Sequence, residues 1–159
     1  MSNSTSKNSV RRRAAVPKEL CPMAQSAELL GDKWTMLILR EAFYGVRRYD
    51  DMRADLGAPR SMLTDRLAKL VAHGLMEKRP YQEPGSRARN AYVLTPMGND
   101  LALTLLALSQ WGEKYALEEE TPIQIRDKET GKLLKVALVD ESGNEIALSR
   151  ATIVPTPRS

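Results

Sequence analysis

The chain has 159 residues and a formal net charge of +4, which suits one domain with its own core plus an appendage and is compatible with a polyanionic partner without demanding one. Its single Cys excludes an intrachain disulfide framework and a Cys-built zinc site, and it fits a reducing cytoplasm. No apolar run approaches the roughly 18 residues a membrane span needs, and the basic N-terminus is not followed by the apolar stretch of a secretory signal, so neither a membrane partner nor export is expected.

Residues 1–19 are polar and contain the run Arg11, Arg12, Arg13. They read as a disordered basic arm, which is either simply solvated or in contact with phosphates. Cys21-Pro22 then opens the ordered part. Pro suits the first position of a helix, so Cys21 takes the N-cap and the helix runs to Leu30, before Gly31. Asp32 caps a second helix, Lys33–Phe43, which carries Trp34, Leu37, Ile38 and Phe43 and is closed by Gly45. A third, Tyr49–Leu56, buries Tyr49, Met52 and Leu56 at spacings of three and four. Gly57-Ala58 turns the chain into a fourth helix, with Pro59 near its first turn and Gly74 after its end. Leu63, Leu67, Leu70 and Val71 form its buried side. Its other side is a strip of short residues, Ser61, Asp65, Ala68 and Ala72, flanked by Met62, Arg66 and Lys69.

Beyond Gly74 the period changes. Residues 75–81 and 91–95 are strand candidates, separated by the turn QEPGSRARN with its Pro, Gly and two Arg. Thr95-Pro96 starts a long helix to about residue 117, Thr capping and Pro in first position. Aromatic residues are only 5% of the chain, so the core must be built mainly from Leu, Ala, Met and Val. Leu101, Leu105, Leu108 and Tyr115 form one stripe with Trp111 beside it, and Leu103, Leu106 and Ala107 lie opposite. A helix apolar on two sides needs cover on both. The favoured cover is a second copy of the chain, giving a homodimer; the alternative is the C-terminal appendage folding back. That appendage, 119–159, reads as a small β-meander. Strands over 123–126, 133–139 and 145–148 flank two similar acidic turns, DKETGK and DESGNE, which lack the ligand series of a calcium loop.

Four helices followed by a two-stranded ribbon make a winged helix-turn-helix: a mainly α fold with a β-ribbon wing, plus the meander. The strip on the fourth helix then has a use, because a helix lying in the major groove needs short outward side chains near base edges and basic flanks near phosphates. An ordinary solvated helix face is the competing reading, and the ribbon tips the balance. Its loop holds Arg87 and Arg89, its strands bring Lys78 and Arg79, and basic side chains outnumber acidic ones over 40–90 while acidic ones prevail over 117–159.

The pieces Cys21-Pro22, Gly31-Asp32-Lys33-Trp34-Thr35, Arg47-Arg48-Tyr49, Leu63-Thr64-Asp65-Arg66-Leu67, Tyr92-Val93-Leu94-Thr95 and Trp111-Gly112 together resemble the HxlR-type winged helix-turn-helix transcriptional regulators, which are MarR-like. The resemblance spans residue 21 to about residue 115. It implies a dimer on a pseudo-palindromic operator in double-stranded DNA, most often as a repressor. Two departures stand out: Tyr49 replaces a usual Phe, and Ala58-Pro59 replaces a usual Ile and small polar residue. The appendage resembles a C-terminal extension that carries Cys pairs at its turns in some relatives; here those Cys are missing, and it reads as a remnant without metal.

On this basis Arg60, Ser61, Met62, Thr64, Asp65, Arg66 and Lys69 are the candidates for the major groove, with Ser61 and Asp65 toward base edges, Asp65 able to accept from a cytosine amino group, and Thr64 and Arg66 better placed for phosphate, unless Arg66 instead pairs with a neighbouring acid. By analogy Arg47 and Arg48 would touch the backbone, Arg87 and Arg89 of the wing should reach the minor groove or its phosphates, and Arg79 of the ribbon is a further DNA-binding candidate. The dimer candidates are Leu101, Leu103, Leu105, Leu106, Leu108, Trp111 and Tyr115. Cys21 is a redox-sensing candidate, because a helix N-terminus with Lys18 and Lys33 nearby favours a reactive thiol and the resemblance includes thiol sensors; a buried, inert Cys is the other reading. His73, the only His, sits where a helix C-terminus favours a cation. With no second ligand beside it and no phosphate loop or paired carboxylates, neither an enzyme nor a cofactor is expected. Two other functions stay open: a winged helix used as a protein–protein scaffold, and a regulator answering to a small molecule without thiol sensing.

Overall fold

The computed structural model describes residues 16–154. Arg11, Arg12 and Arg13, and most of the expected arm, lie outside the described residues. Within the described residues, Lys18–Leu20 forms a 3-10 turn just ahead of Cys21. Helices α1 (Pro22–Leu30), α2 (Lys33–Phe43), α3 (Tyr49–Leu56) and α4 (Arg60–Ala72) follow. None of these helices, nor any other among the described residues, is long and apolar enough to cross a membrane.

Local chemistry sets the boundaries. The Asp32 carboxylate accepts the Trp34 and Thr35 backbone N–H groups at 3.1 and 3.2 Å, satisfying donors that the first turn of α2 leaves free. Helix α3 ends at Gly57, whose φ of +59° is the left-handed cap that favours glycine. Pro59 stands at the N-cap of α4, one step outside the first turn. The hairpin β1 (Met76–Tyr81) and β2 (Arg89–Leu94) is antiparallel, with Met76 opposite Leu94 and Tyr81 opposite Arg89. Its outer edge is extended by a single bridge between Arg48 and Ala91, where the Tyr92 N–H donates to the Arg47 carbonyl at 2.7 Å.

The core joins these elements. Ile38 and Leu39 of α2, Met52 of α3, Ala58 of the turn, Leu63, Leu67 and Leu70 of α4, and Leu75 and Met76 at the foot of β1 are all buried. It is aliphatic with Met as filler, as the scarcity of aromatics requires. Leu29 and Leu30 of α1 pack against its edge, as do Leu101 and Leu105.

Two expectations are corrected. The long helix after Thr95 is two helices, α5 (Pro96–Asn99) and α6 (Ala102–Tyr115). Thr95 caps α5 through the Gly98 N–H, as expected. The Leu101 N–H then reaches back only three residues, to the Gly98 carbonyl at 3.2 Å, and this tighter turn interrupts the helix where Asn99 and Asp100 are weak helix formers. The β-meander takes a lesser form: two tight turns, each closed by one bridge, Arg126 to Leu133 and Val139 to Glu145. Turn chemistry is satisfied while the ladder is not. Asp127 accepts the Glu129 N–H at 2.8 Å and Asp140 accepts those of Ser142 and Asn144 at 2.9 and 3.0 Å. These backbone donors, with Thr130 and Asn144 side chains, hold both carboxyls below their ordinary range. The acids thus cap their own turns, and the apolar residues between the turns, Leu133, Leu134 and Leu138 among them, stay exposed.

Candidate nucleic-acid interface

Helices α3 and α4, joined through Gly57-Ala58-Pro59, are a helix-turn-helix pair. Helix α4 buries Leu63, Leu67 and Leu70 and exposes Arg60, Ser61, Thr64, Asp65, Ala68, Lys69 and Ala72. The strip of short side chains with basic edges is therefore on the surface. Two of the groove candidates are not fully part of it. Met62 is half-buried and packs against the core. Arg66 is turned back along the domain, where its Nε donates to Asp32 at 2.9 Å. The bulk of a Met and the reach of an Arg place both at the flank of the helix rather than on its crest.

The Arg66–Asp32 pair braces α4 against the N-terminus of α2 across 34 residues of sequence. Burial pushes the Asp32 carboxyl up, but the Thr35 hydroxyl, Arg66 and the Thr35 N–H outweigh it and bring the carboxyl below its ordinary value. A carboxyl lowered by folding contributes stability that is present above its unfolded pKa and lost as pH falls through the folded one. The pair is partly exposed, so solvent screens the Arg66 contribution to a few tenths of a kcal/mol. Asp32→Ala, which also removes the cap, is expected to cost about 1 kcal/mol in urea melts, and Asp32→Asn, which can still cap, less than half of that. Acidification from about pH 5 downward should erase the difference between wild type and Asp32→Ala. A pH-independent difference would refute this account.

A residue that sequence reasoning assigned only to the core also acts here. The Tyr49 hydroxyl donates to the Arg60 carbonyl at 3.0 Å and lies 3.1 Å from Thr64 Oγ1, tying the start of α3 to the first turn of α4. The replacement of the resembled family's Phe by Tyr was the signal for it. The cost falls on Thr64, whose hydroxyl already has a protein partner.

At the wing, the candidate arginines divide. Arg47, Arg60, Lys69 and Arg87 are exposed and have no acidic partner within 4 Å among the described residues. Arg79 pairs with Glu77 of its own strand at 2.7 Å. Arg48 pairs with Glu83 of the wing loop at 2.6 Å and sits over the Tyr81 ring, 4.9 Å from its centre. The Glu83 carboxylate raises the Arg48 pKa further above its ordinary value. Arg89 pairs with Asp50 of α3 at 2.9 Å. Tyr49, Asp50, Tyr81, Arg89, Asn90 and Tyr92 line a shallow cleft of about 300 Å³ between α3 and the hairpin.

Elsewhere, α6 offers the expected apolar surface. Leu101 and Leu105 face the core and Leu106 is half-buried. Leu103, Leu108, Trp111 and Tyr115 are 67, 50, 58 and 63% exposed, an uncovered apolar patch of the kind that marks an interaction surface. The appendage touches α6 through Gln110, whose Nε2 donates to the Val136 carbonyl at 3.0 Å, and leaves these four uncovered. Cys21 is half-buried at the N-cap of α1. The two lysines expected to influence it are engaged elsewhere, Lys18 with Glu28 at 2.6 Å and Lys33 over the Trp34 ring. His73 caps the end of α4, its ring Nδ1 2.8 Å from the Lys69 carbonyl.

Comparison with known proteins gives this arrangement its context. The family described as HxlR-like helix-turn-helix matches residues 29–120. An uncharacterized HTH-type transcriptional regulator of Mycobacterium tuberculosis (strain H37Rv) is 39% identical over 137 residues, which cover 85% of each chain. The crystal structure of PA1607, a candidate transcription factor, superposes with a TM-score of 0.74 at 31% identity, covering 86% of this chain and 96% of that one. A redox regulator, HypR, in its reduced form aligns with a TM-score of 0.55 at 25% identity, over 60% of this chain and 94% of its own. PA1607 thus covers more of this chain than the winged helix alone contains, whereas HypR covers a smaller share of it. The chain is a member of the HxlR-like helix-turn-helix family of DNA-binding transcriptional regulators.

Proposed function

We propose that two copies of this chain, joined through α6, bind a pseudo-palindromic operator and repress transcription by occupying it. Each copy lays α4 in a major groove, with Ser61 and Asp65 toward base edges, Arg60 and Lys69 toward phosphates, and the wing reaching the adjacent backbone through Arg87. The observation that carries this reading is the exposed face of α4: short side chains let the backbone approach the bases, and two of its basic residues, Arg60 and Lys69, have no acidic partner within 4 Å among the described residues. Arg47, beside the N-terminus of α3, adds a further phosphate contact. Selecting bound sequences from a random duplex pool tests the whole proposal. Two inverted half-sites about 10 base pairs apart, centre to centre, are expected. A pool that stays random at low ionic strength would overturn it and favour a scaffold for other proteins.

Cys21 is proposed as the point where an oxidant or electrophile is read. Its partial exposure at a helix N-cap supports this, and HypR, a redox regulator, shares the fold. As the chain's only Cys it would react by forming an intersubunit disulfide, a mixed disulfide with a small thiol, or a sulfenic acid. Diamide treatment is expected to change operator affinity in the wild type and not in Cys21→Ser. Equal affinity in all four samples would end the sensor reading and leave the DNA-binding one untouched.

A further inference from the structure

The start of α3 and the wing are joined by two ion pairs of opposite polarity. Arg48 at the N-cap of α3 reaches Glu83 in the wing loop at 2.6 Å, and Asp50 in the first turn of α3 receives Arg89 of β2 at 2.9 Å. Each side thus gives one base and one acid. The pairs flank the cleft that holds Tyr49, Tyr81 and Tyr92, and the Arg48 guanidinium is also seated over the Tyr81 ring. Between them runs the lone bridge from Arg48 to Ala91. In this chain the wing is therefore clasped to the helix-turn-helix unit by side chains as well as by backbone.

On the DNA-binding reading above, Arg48 and Arg89 count among the residues that would meet the duplex backbone, and each already holds a carboxylate. A carboxylate presents two oxygens to a guanidinium in much the same fork as a phosphate does. We infer that Glu83 and Asp50 are built-in phosphate surrogates: they hold the wing against α3 in the free protein and must be displaced by the DNA backbone before Arg48 and Arg89 contribute to binding. The latch rests on the DNA-binding reading above and adds to it a restraint on affinity. That restraint is independent of sequence, because the surrogates compete only for phosphate contacts. It contrasts with Arg47 and Arg87, which have no acidic partner within 4 Å among the described residues.

The size of the effect follows from the exposure of the pairs. All four side chains are between 46 and 62% exposed, so each pair is a weak surface contact and its removal changes an equilibrium by a few-fold rather than by orders of magnitude. Binding of the full-length protein to a fluorescent duplex of roughly 20 base pairs, followed by anisotropy at low ionic strength, reads this directly. Glu83→Gln and Asp50→Asn are each expected to tighten binding about three-fold, and the double variant about ten-fold, on operator and unrelated duplex alike. Removing any acid near DNA lowers repulsion, so Asp55→Asn, on the same helix and without a basic partner within 4 Å among the described residues, is the reference. The decisive comparison is a double-mutant cycle. In an Arg48→Ala background, the gain from Glu83→Gln should shrink to that of Asp55→Asn. A gain that persists in that background, or one no larger than the reference in the wild type, would overturn the latch while leaving DNA binding intact. A wild type that binds no duplex would overturn the underlying reading and the latch with it. All these side chains are on the surface, so unchanged melting temperatures are expected throughout and separate an effect on binding from one on folding.

Discussion

A chain carrying Leu108→Glu and Trp111→Glu is expected to sediment as a monomer, to keep the melting behaviour of a folded winged helix, and to lose about 100-fold or more in operator affinity. The argument starts from the helix itself. Leu108, Trp111 and Tyr115 follow one another at spacings of three and four and so share a side of α6, and the Trp111 and Tyr115 rings lie 5.7 Å apart. With Leu103 they are half or more exposed in the single chain, so the isolated fold gains little from them and should tolerate their loss. In a two-fold dimer each substitution occurs twice, and glutamates would face apolar surface or one another, which an interface core does not accept. Operator affinity falls further than any single contact would explain, because a dimer gains its second half-site at a high effective concentration that a monomer lacks. Sedimentation, thermal melting and anisotropy on one sample separate the outcomes. A variant that remains dimeric would show that α6 is covered by something other than a second copy. A monomer with unchanged operator affinity would show that dimerisation is irrelevant to binding.

What could be read from the sequence, and what could not, follows the range of the forces involved. Asp32, Gly57 and Thr95 mark their helix boundaries through bonds to residues two or three positions away, or through one backbone angle, and such chemistry is written locally. The buried side of α4 follows from the 3.6-residue period alone. The three ion pairs that shape the interface are not local. Asp32 meets Arg66, Arg48 meets Glu83 and Asp50 meets Arg89 across more than 30 residues each. The chain offers 24 basic and 20 acidic side chains, so no pairing could be chosen from composition. This is why Arg66 reads either as a phosphate contact or as the partner of an acid that cannot be named, and Asp50 and Glu83 read as nothing in particular. The appendage failed in a different way. Its Asp and Gly turn residues act as their chemistry requires, but the apolar runs beside them have no neighbouring strand long enough to build a ladder, and an apolar run is not evidence of a partner. The break between α5 and α6 was missed because the apolar period continues through it.

Gly98→Ala is expected to be the most damaging single-methyl addition to the described fold, with a loss of about 3 kcal/mol in stability and a matching loss of dimer. Gly98 is buried where α5 crosses the end of the hairpin. A Cβ built on it would lie 2.1 Å from the Leu75 carbonyl oxygen and 3.1 Å from Leu94 Cδ2. The carbonyl cannot move aside freely, because it accepts the Thr95 N–H at 3.1 Å, while the Thr95 hydroxyl donates to the Gly74 carbonyl at 2.6 Å. Backbone on both sides of the contact is thus held by the same cap that starts α5. Relief has to come from rotating α5 away from the hairpin, and α6 would swing with it, carrying its exposed apolar side out of register with a partner. Gly112→Ala is the matched comparison, since nothing lies within 4 Å of a Cβ there and alanine favours a helix interior. It should raise stability by up to about 1 kcal/mol. Urea melts of both variants, with sedimentation at the same concentration, decide the matter: equal stabilities for the two would mean that the Leu75–Gly98 approach does not constrain the fold, and a destabilised Gly98→Ala that still dimerises normally would mean that the angle of α6 is set elsewhere.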